Sequence, residues 1–186
     1  MSRLYLAAAT LNVCVLVLVL VAAFAVQLIL GELPCPLCVM QRVALMLVAL
    51  GPLHILLRTQ GSGVLTSRDA AVGNGIAILA ALLGVIASGR QMLLHILPGD
   101  AGFGAPVLGL HLYTWCLIAF FCQIAASAVM LLAGAWIDDK PVEWRATRAT
   151  ALAFAAIVAA NLLSVIAEAG LNWDLPADPA RYLLFG

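Results

Sequence analysis

The chain has 186 residues, 65% of them hydrophobic and 10% charged, against about 45–50% and about 25% in an ordinary soluble domain. Nine Lys and Arg balance nine Asp and Glu, so no basic surplus exists to hold a phosphate backbone. These few charges cannot clothe a soluble surface, and 15 Gly with 8 Pro fall short of collagen-like or disordered bias. A nucleic-acid binder and a soluble enzyme are excluded, and a membrane protein is left.

A bilayer span needs about 20 largely apolar residues. The first uncharged stretch runs from Leu4 to Gly31. Arg3 before it and Ala23-Phe24-Ala25 within it resemble a signal peptide, but the run is longer than a signal core and continues through Leu30, so it reads as a retained helix. The second stretch, Val43 to Leu57, is short, so its helix begins nearer Cys38 and carries Gln41 and Arg42 on its first turns, which makes Arg42 an interfacial charge. The third is Ala70 to Gly89, the fourth lies within Ala101 to Ile137, and the fifth is Ala149 to Ala167.

Cations bordering the spans set orientation. With the amino terminus inside, Arg3, Arg58, Arg68, Lys140, Arg145 and Arg148 fall on the cytoplasmic side, and Arg42, Arg90 and Arg181 on the other. The expected topology has a cytoplasmic amino terminus and an outward carboxyl tail.

The connections are short. Thr59 to Asp69, with Gly61-Ser62-Gly63, reads as a flexible cytoplasmic turn, and Pro98 to Leu108 as an outer loop of helix breakers. Trp173 and Tyr182 in the outer tail suit an interfacial belt. Short connections make neighbouring helices antiparallel. The predicted fold is an all-α polytopic membrane protein, a four-helix transmembrane bundle (1–136) followed by a cytoplasmic connection, a fifth transmembrane helix and an outer tail (137–186).

The chemistry concentrates in Pro34-Cys35-Pro36-Leu37-Cys38, a C-x-x-C at the outer mouth of the second span. A helix amino terminus stabilises thiolate. Arg42, one turn after Cys38 on the same face, adds a fixed positive charge there. The pair therefore reads as redox-active and faces an oxidising compartment. A structural disulfide across so short a loop constrains the unfolded chain little. A c-type haem would want His where Val39 stands. Zinc needs four ligands, and only His95 and His111 lie at the same depth, so no metal site is expected.

A dithiol at the bilayer surface needs a two-electron acceptor, and a lipid-soluble quinone suits it. The run Pro34 to Cys38 with Arg42, and the third span ending in Gly89-Arg90-Gln91-Met92-Leu93-Leu94-His95-Ile96-Leu97-Pro98, resembles the disulfide bond formation protein B (DsbB) family of membrane thiol:quinone oxidoreductases over about residues 1 to 136. The resemblance implies a bacterial inner-membrane four-helix bundle that binds ubiquinone or menaquinone at its periplasmic end. It makes Cys35 and Cys38 the catalytic pair, Cys38 nearer the ring and Arg42 beside a quinone oxygen, with His95 a candidate donor to the ring; beside the resemblance, Gln41 and His111 are further candidate cofactor contacts. A periplasmic thioredoxin-fold thiol oxidase, or exported dithiol proteins, would be the partner.

Family members typically carry a second cysteine pair in the outer loop between helices three and four, whereas Pro98 to Leu108 has none. Cys116 and Cys122, six residues apart in the fourth span, point to different faces of a helix, and with Cys14 they read as packing residues. Either an incoming thiolate attacks the Cys35 to Cys38 disulfide directly, with Cys35 as its target, or the relay has been lost.

His111 and Trp115 share a face that either lines the quinone site or forms an aromatic belt. Asn74, Asn161 and Ser164 read as interhelical hydrogen-bond groups, and His54 as an interfacial residue. A second functional reading stays open, in which a non-catalytic subunit binds haem or quinone through His95 and His111. The vitamin K epoxide reductase type of bundle shares the chemistry, but its active C-x-x-C lies late in the chain.

Overall fold

Each of the five apolar runs becomes one helix in a computed structural model that describes residues 1–138, 140–170, 172, 176, 179 and 181–185. The helices are α1 (Ser2–Ile29), α2 (Pro36–Ser62), α3 (Ser67–Leu94), α4 (Leu112–Gly134) and α5 (Thr147–Ala169). All five are long and apolar enough to cross a membrane. No strand forms among the described residues, and the polypeptide is a multi-pass helical membrane protein.

Local chemistry sets the helix ends. Cys35, with extended backbone, is the N-cap of α2, and Pro36 follows in the first turn, where its missing N–H costs nothing. At the other end Gly63 adopts φ 73° and donates its N–H to Thr59 O, a left-handed cap that glycine takes without strain. Thr66 caps α3 by accepting from the Asp69 N–H at 3.0 Å, and its hydroxyl donates to Asp69 Oδ2 at 2.8 Å. The connection expected to be a flexible turn is thus reduced to four capped residues. It is pinned further by the Val142 N–H of the α4–α5 connection, which donates to Gly63 O at 2.8 Å.

α2 and α3 form the central pair. A Cβ on Gly51 would strike the Gly73 carbonyl, and one on Gly73 would meet Ile55 and the Gly51 carbonyl. Close backbone approach through small residues is how helices associate in lipid, where no hydrophobic gain separates protein from solvent. The same face of α3 continues through Ala77, Ala80, Ala81 and Gly84, and Gly84 receives the buried ring of Phe120 from α4. α1 lies against α2, and α5 packs on α1 and α2. At the end of the bundle that the expected topology makes the inner one, Tyr5 accepts from Asn74 Nδ2 at 2.7 Å and donates to Met130 O at 3.0 Å, which joins α1, α3 and α4. Leu11, Leu18, Leu79, Leu132 and Leu152 are exposed, as suits a surface bathed by acyl chains.

Several smaller expectations come out differently. Asn74 does bond between helices and Ser164 accepts from Gln27 of α1, but Asn161 Nδ2 turns back onto Ile157 O of its own helix. Cys116 packs against the core, whereas Cys14 and Cys122 are exposed. His54 Nε2 stands 4.0 Å from Asp69 Oδ1, beside the Arg58–Asp69 ion pair at the inner end. Tyr182 hydrogen-bonds inward to Gln27, and Trp173 lies outside the described residues.

Candidate functional site

At the opposite end of the bundle, outer by the same expected topology, the N-cap role of Cys35 folds its side chain over the first turn of α2. Cys35 Sγ accepts from the Cys38 N–H at 3.3 Å and stands 2.8 Å from Cys38 Sγ. The C-x-x-C spacing makes this contact possible, because one helical turn separates the cap from the third helical residue. Contact with Cys38, reinforced by burial, pushes the Cys35 thiol well above its ordinary range, so Cys35 holds its proton. Cys38 lies in the first turn of α2, with the Arg42 guanidinium in electrostatic reach.

α3 supplies the next layer. Gln91 Nε2 stands 3.4 Å from Cys35 Sγ and 3.5 Å from Cys38 Sγ, while its Oε1 accepts from Gln41 Nε2 at 2.7 Å. Both glutamines are buried. The α2–α3 pair thereby aims one amide at two sulfurs and uses the other to fix its orientation.

Arg42 is tied on the opposite side. Its Nη1 donates to Gln27 Oε1 at 2.7 Å, its Nη2 donates to Ala23 O at 3.1 Å, and its guanidinium lies 5.3 Å from the centre of the Phe24 ring. Gln27 in turn donates to Ser164 Oγ of α5 at 2.8 Å and to the Tyr182 hydroxyl at 3.1 Å. The interfacial charge expected from sequence is therefore half-buried, because α1 supplies a carbonyl and an amide oxygen to its fork. From Arg42 a groove of about 420 Å3 runs between α2 and α5, lined by Val39, Val43, Met46, Leu50, Phe154 and Val158 among others.

Cys35, Cys38, Arg42 and Gln41 are thus brought together, but His95 and His111 make other contacts. His95 caps the carboxyl end of α3, with Nδ1 3.0 Å from Asp100 Oδ1. His111 Nδ1 donates to Gly104 O at 3.1 Å. Both rings stack on Tyr113, with centroids 5.7 and 5.3 Å away. Gly102, at φ 71°, leaves the space that the His111 ring fills. Trp115 donates its indole N–H to Val107 O at 2.9 Å. These groups hold the outer loop together. Among the described residues no cluster of metal-binding side chains forms.

Cys35 is buried and Cys38 half-buried, the reverse of the accessibility expected from sequence. The N-cap sits in a run of three buried residues, Leu33, Pro34 and Cys35, which takes it away from solvent. Sequence reasoning also missed Gln27, Gln91 and Glu168. Each is a polar side chain in an apolar span, the kind of position that marks function in a membrane. Glu168 ends α5 and is 1% exposed, and neither carboxyl oxygen has a hydrogen-bond partner among the described residues.

Together these features define a polytopic helical membrane protein with a paired-thiol site at one end. The family model described as disulfide bond formation protein DsbB matches residues 5–103, just over half of the chain. Similar proteins include disulfide bond formation protein B 1 of Pseudomonas savastanoi pv. phaseolicola, 30% identical over 128 residues, 53% of this chain and 72% of that protein. Disulfide bond formation protein B of Chromobacterium violaceum is 44% identical over 71 residues, 38% of this chain and 40% of that one. The Burkholderia pseudomallei protein of the same name is 27% identical over 143 residues, 61% and 81% of the two chains. No solved structure matches. The chain belongs to the DsbB family, and with it to the membrane oxidoreductases of disulfide bond formation.

Proposed function

We propose that this protein is a thiol:quinone oxidoreductase of the bacterial inner membrane that makes a disulfide at Cys35 and Cys38 and passes it to periplasmic dithiols. The observation that carries the reading is the pair of sulfurs 2.8 Å apart at the amino end of α2, with Gln91 against both. The quinone supplies a sink for two electrons and two protons. The groove fits such a molecule: its walls are apolar, as an isoprenoid tail requires, and the Arg42 guanidinium at its outer end can donate to a ring oxygen.

In this reading Cys38, the more accessible sulfur, exchanges with the acceptor side. Cys35 holds a proton until the disulfide closes. Gln91 orients both sulfurs, Gln41 fixes Gln91, and Arg42 holds the quinone head. The dithiol partner, a thioredoxin-fold thiol oxidase or an exported protein, attacks the disulfide directly, since the outer loop Pro98 to Leu108 contains no cysteine. Residues 1–136 form the redox bundle, and 137–186 add α5 and the tail. The cation distribution supports a cytoplasmic amino terminus and a periplasmic C-x-x-C.

The test is anaerobic reduction of a short-chain quinone by the purified protein supplied with a dithiol. The wild-type chain turns over and Cys38→Ala falls to background. Equal rates from the two proteins would sink the proposal.

A further inference from the structure

Glu168 has no place in that scheme, yet α5 presents it to the redox end. Ser164 faces α1 through Gln27, and Glu168 lies four residues on, one turn further along the same helix face. Asn161, three residues before Ser164, lines the groove that Arg42 heads. A polar row of three therefore runs along one face of a helix otherwise suited to lipid, and it ends in an acid. The tail folds over that acid: the Leu183 and Leu184 N–H groups donate to the carbonyls of Glu168 and Ala167. A carboxylate buried without donors is costly, and an intramembrane acid is a candidate for proton transfer by default.

Among the described residues the charged and titratable groups facing Glu168 are Arg42 and Cys38 of α2, with Cys35 before that helix, and beyond Arg42 stand Cys116 of α4 and Tyr182 of the tail. The helix α1 contributes the neutral Gln27.

Resting on the thiol:quinone reading, we propose that Glu168 is a redox-linked proton donor, protonated while Cys38 is a thiolate and ionised as the counter-ion of Arg42 once the disulfide has formed. The balance closes. Oxidation breaks the Cys35 S–H bond and forms one S–S bond, and two electrons leave for the quinone. One proton comes from Cys35 and the other from the Glu168 carboxyl, which together make the quinol. The cluster of Cys38, Arg42 and Glu168 stays neutral overall in both states, as a low-dielectric site demands. Attack by the incoming dithiol reverses the change and returns one proton to Glu168 and one to Cys35.

Infrared difference spectroscopy on the quinone-free full chain tests this apart from turnover. The protein is cycled between dithiothreitol and ferricyanide, an oxidant that takes electrons and no protons. Oxidation should remove a protonated-carboxyl band in the wild type and not in Glu168→Gln. Glu168→Asp should retain the change, which guards against a folding defect in the first variant. In the quinone assay Glu168→Gln should be slower by about 100-fold and lose one ionisation from its pH–rate profile. Identical difference spectra for wild type and Glu168→Gln overturn the proposal. If that happens while Cys38→Ala still abolishes quinone reduction, the function stands and only the proton role falls. A carboxyl change without any Cys38-dependent quinone reduction overturns the acceptor instead.

Discussion

The two ends of the bundle bury polar side chains in contrasting ways. At the inner end most are closed into contacts between neighbours: Asn74 with Tyr5, Asp69 with Thr66 and Arg58, Trp144 with Thr10. At the outer end Gln41 and Gln91 converge on two sulfurs, and the chain of Ser164, Gln27 and Arg42 ends with the guanidinium in electrostatic reach of Cys38. Three buried side chains have polar atoms without a partner among the described residues, and Ser88 and Thr147 are hydroxyls while Glu168 is an acid. Closed pairs fix which helix faces meet. An open network ending in reactive sulfur and an unpaired carboxyl has capacity left for a ligand and a proton.

The contrast breaks most visibly if substitutions at the two ends have the same consequence. Gly73→Leu is the harshest inner change, because its side chain must displace Ile55 and the Gly51 carbonyl. The expected loss is about 3 kcal/mol or more, seen as a lowered midpoint of thermal unfolding in detergent, and any loss of activity should track the folded fraction. A Gly73→Leu protein as stable as wild type would show that α2 and α3 do not depend on backbone contact.

Gln91→Leu is the outer counterpart. It removes the amide from both sulfurs and leaves Gln41 Nε2 without its acceptor. An orphaned buried group costs about 1–3 kcal/mol, and if that cost falls on the reacting state, dithiol-dependent quinone reduction drops by about tenfold or more. Gln91→Glu keeps an acceptor for Gln41 but sets a negative charge against the sulfurs, so it should be slower still. Unchanged turnover in both would remove Gln91 from the site.

Arg42→Lys sharpens the outer end with a milder effect. The ammonium keeps the charge but loses the fork that spans Gln27 Oε1 and Ala23 O. A rise in the quinone KM of severalfold, with kcat nearly kept, is expected if Arg42 binds the acceptor. A fall in kcat with KM unchanged would point to a role on Cys38 alone.

The fold was legible because apolar runs longer than a bilayer leave a chain few choices. The helix ends were less so: the early start of α2 depends on Cys35 acting as a cap, and the ordered inner turn on Thr66 with Gly63. At the site, Cys35, Cys38 and Arg42 lie within one short segment and read directly from their spacing. Gln91 is 53 residues from Cys38 and Gln27 is 15 from Arg42, so their roles exist only once α1, α2 and α3 pack. His95 and His111 attracted a ligand-binding reading because a histidine near a redox motif offers chemistry. What sequence does not show is that Tyr113 and the loop backbone take up both rings.

The smallest effect is expected in that loop. Asp100 accepts from the Gly102 N–H at 2.8 Å and faces His95 Nδ1 at 3.0 Å. The Gly102 donation first, and His95 second, hold its carboxyl below the usual carboxylate range. A carboxyl held low in the folded state contributes stability that is fully present above its unfolded pKa of about 3.9. That contribution is lost as pH falls through the lower folded value. Protection of the Gly102 amide against hydrogen exchange, corrected for its intrinsic rate, should therefore fall as pH drops from about 5 to about 2. Asp100→Asn cannot titrate, so its protection should start lower and stay flat over the same window, with quinone reduction near wild type. Parallel loss of activity with loop protection would join this loop to the redox end and weaken the separation between the His95–Tyr113–His111 stack and the sulfur site.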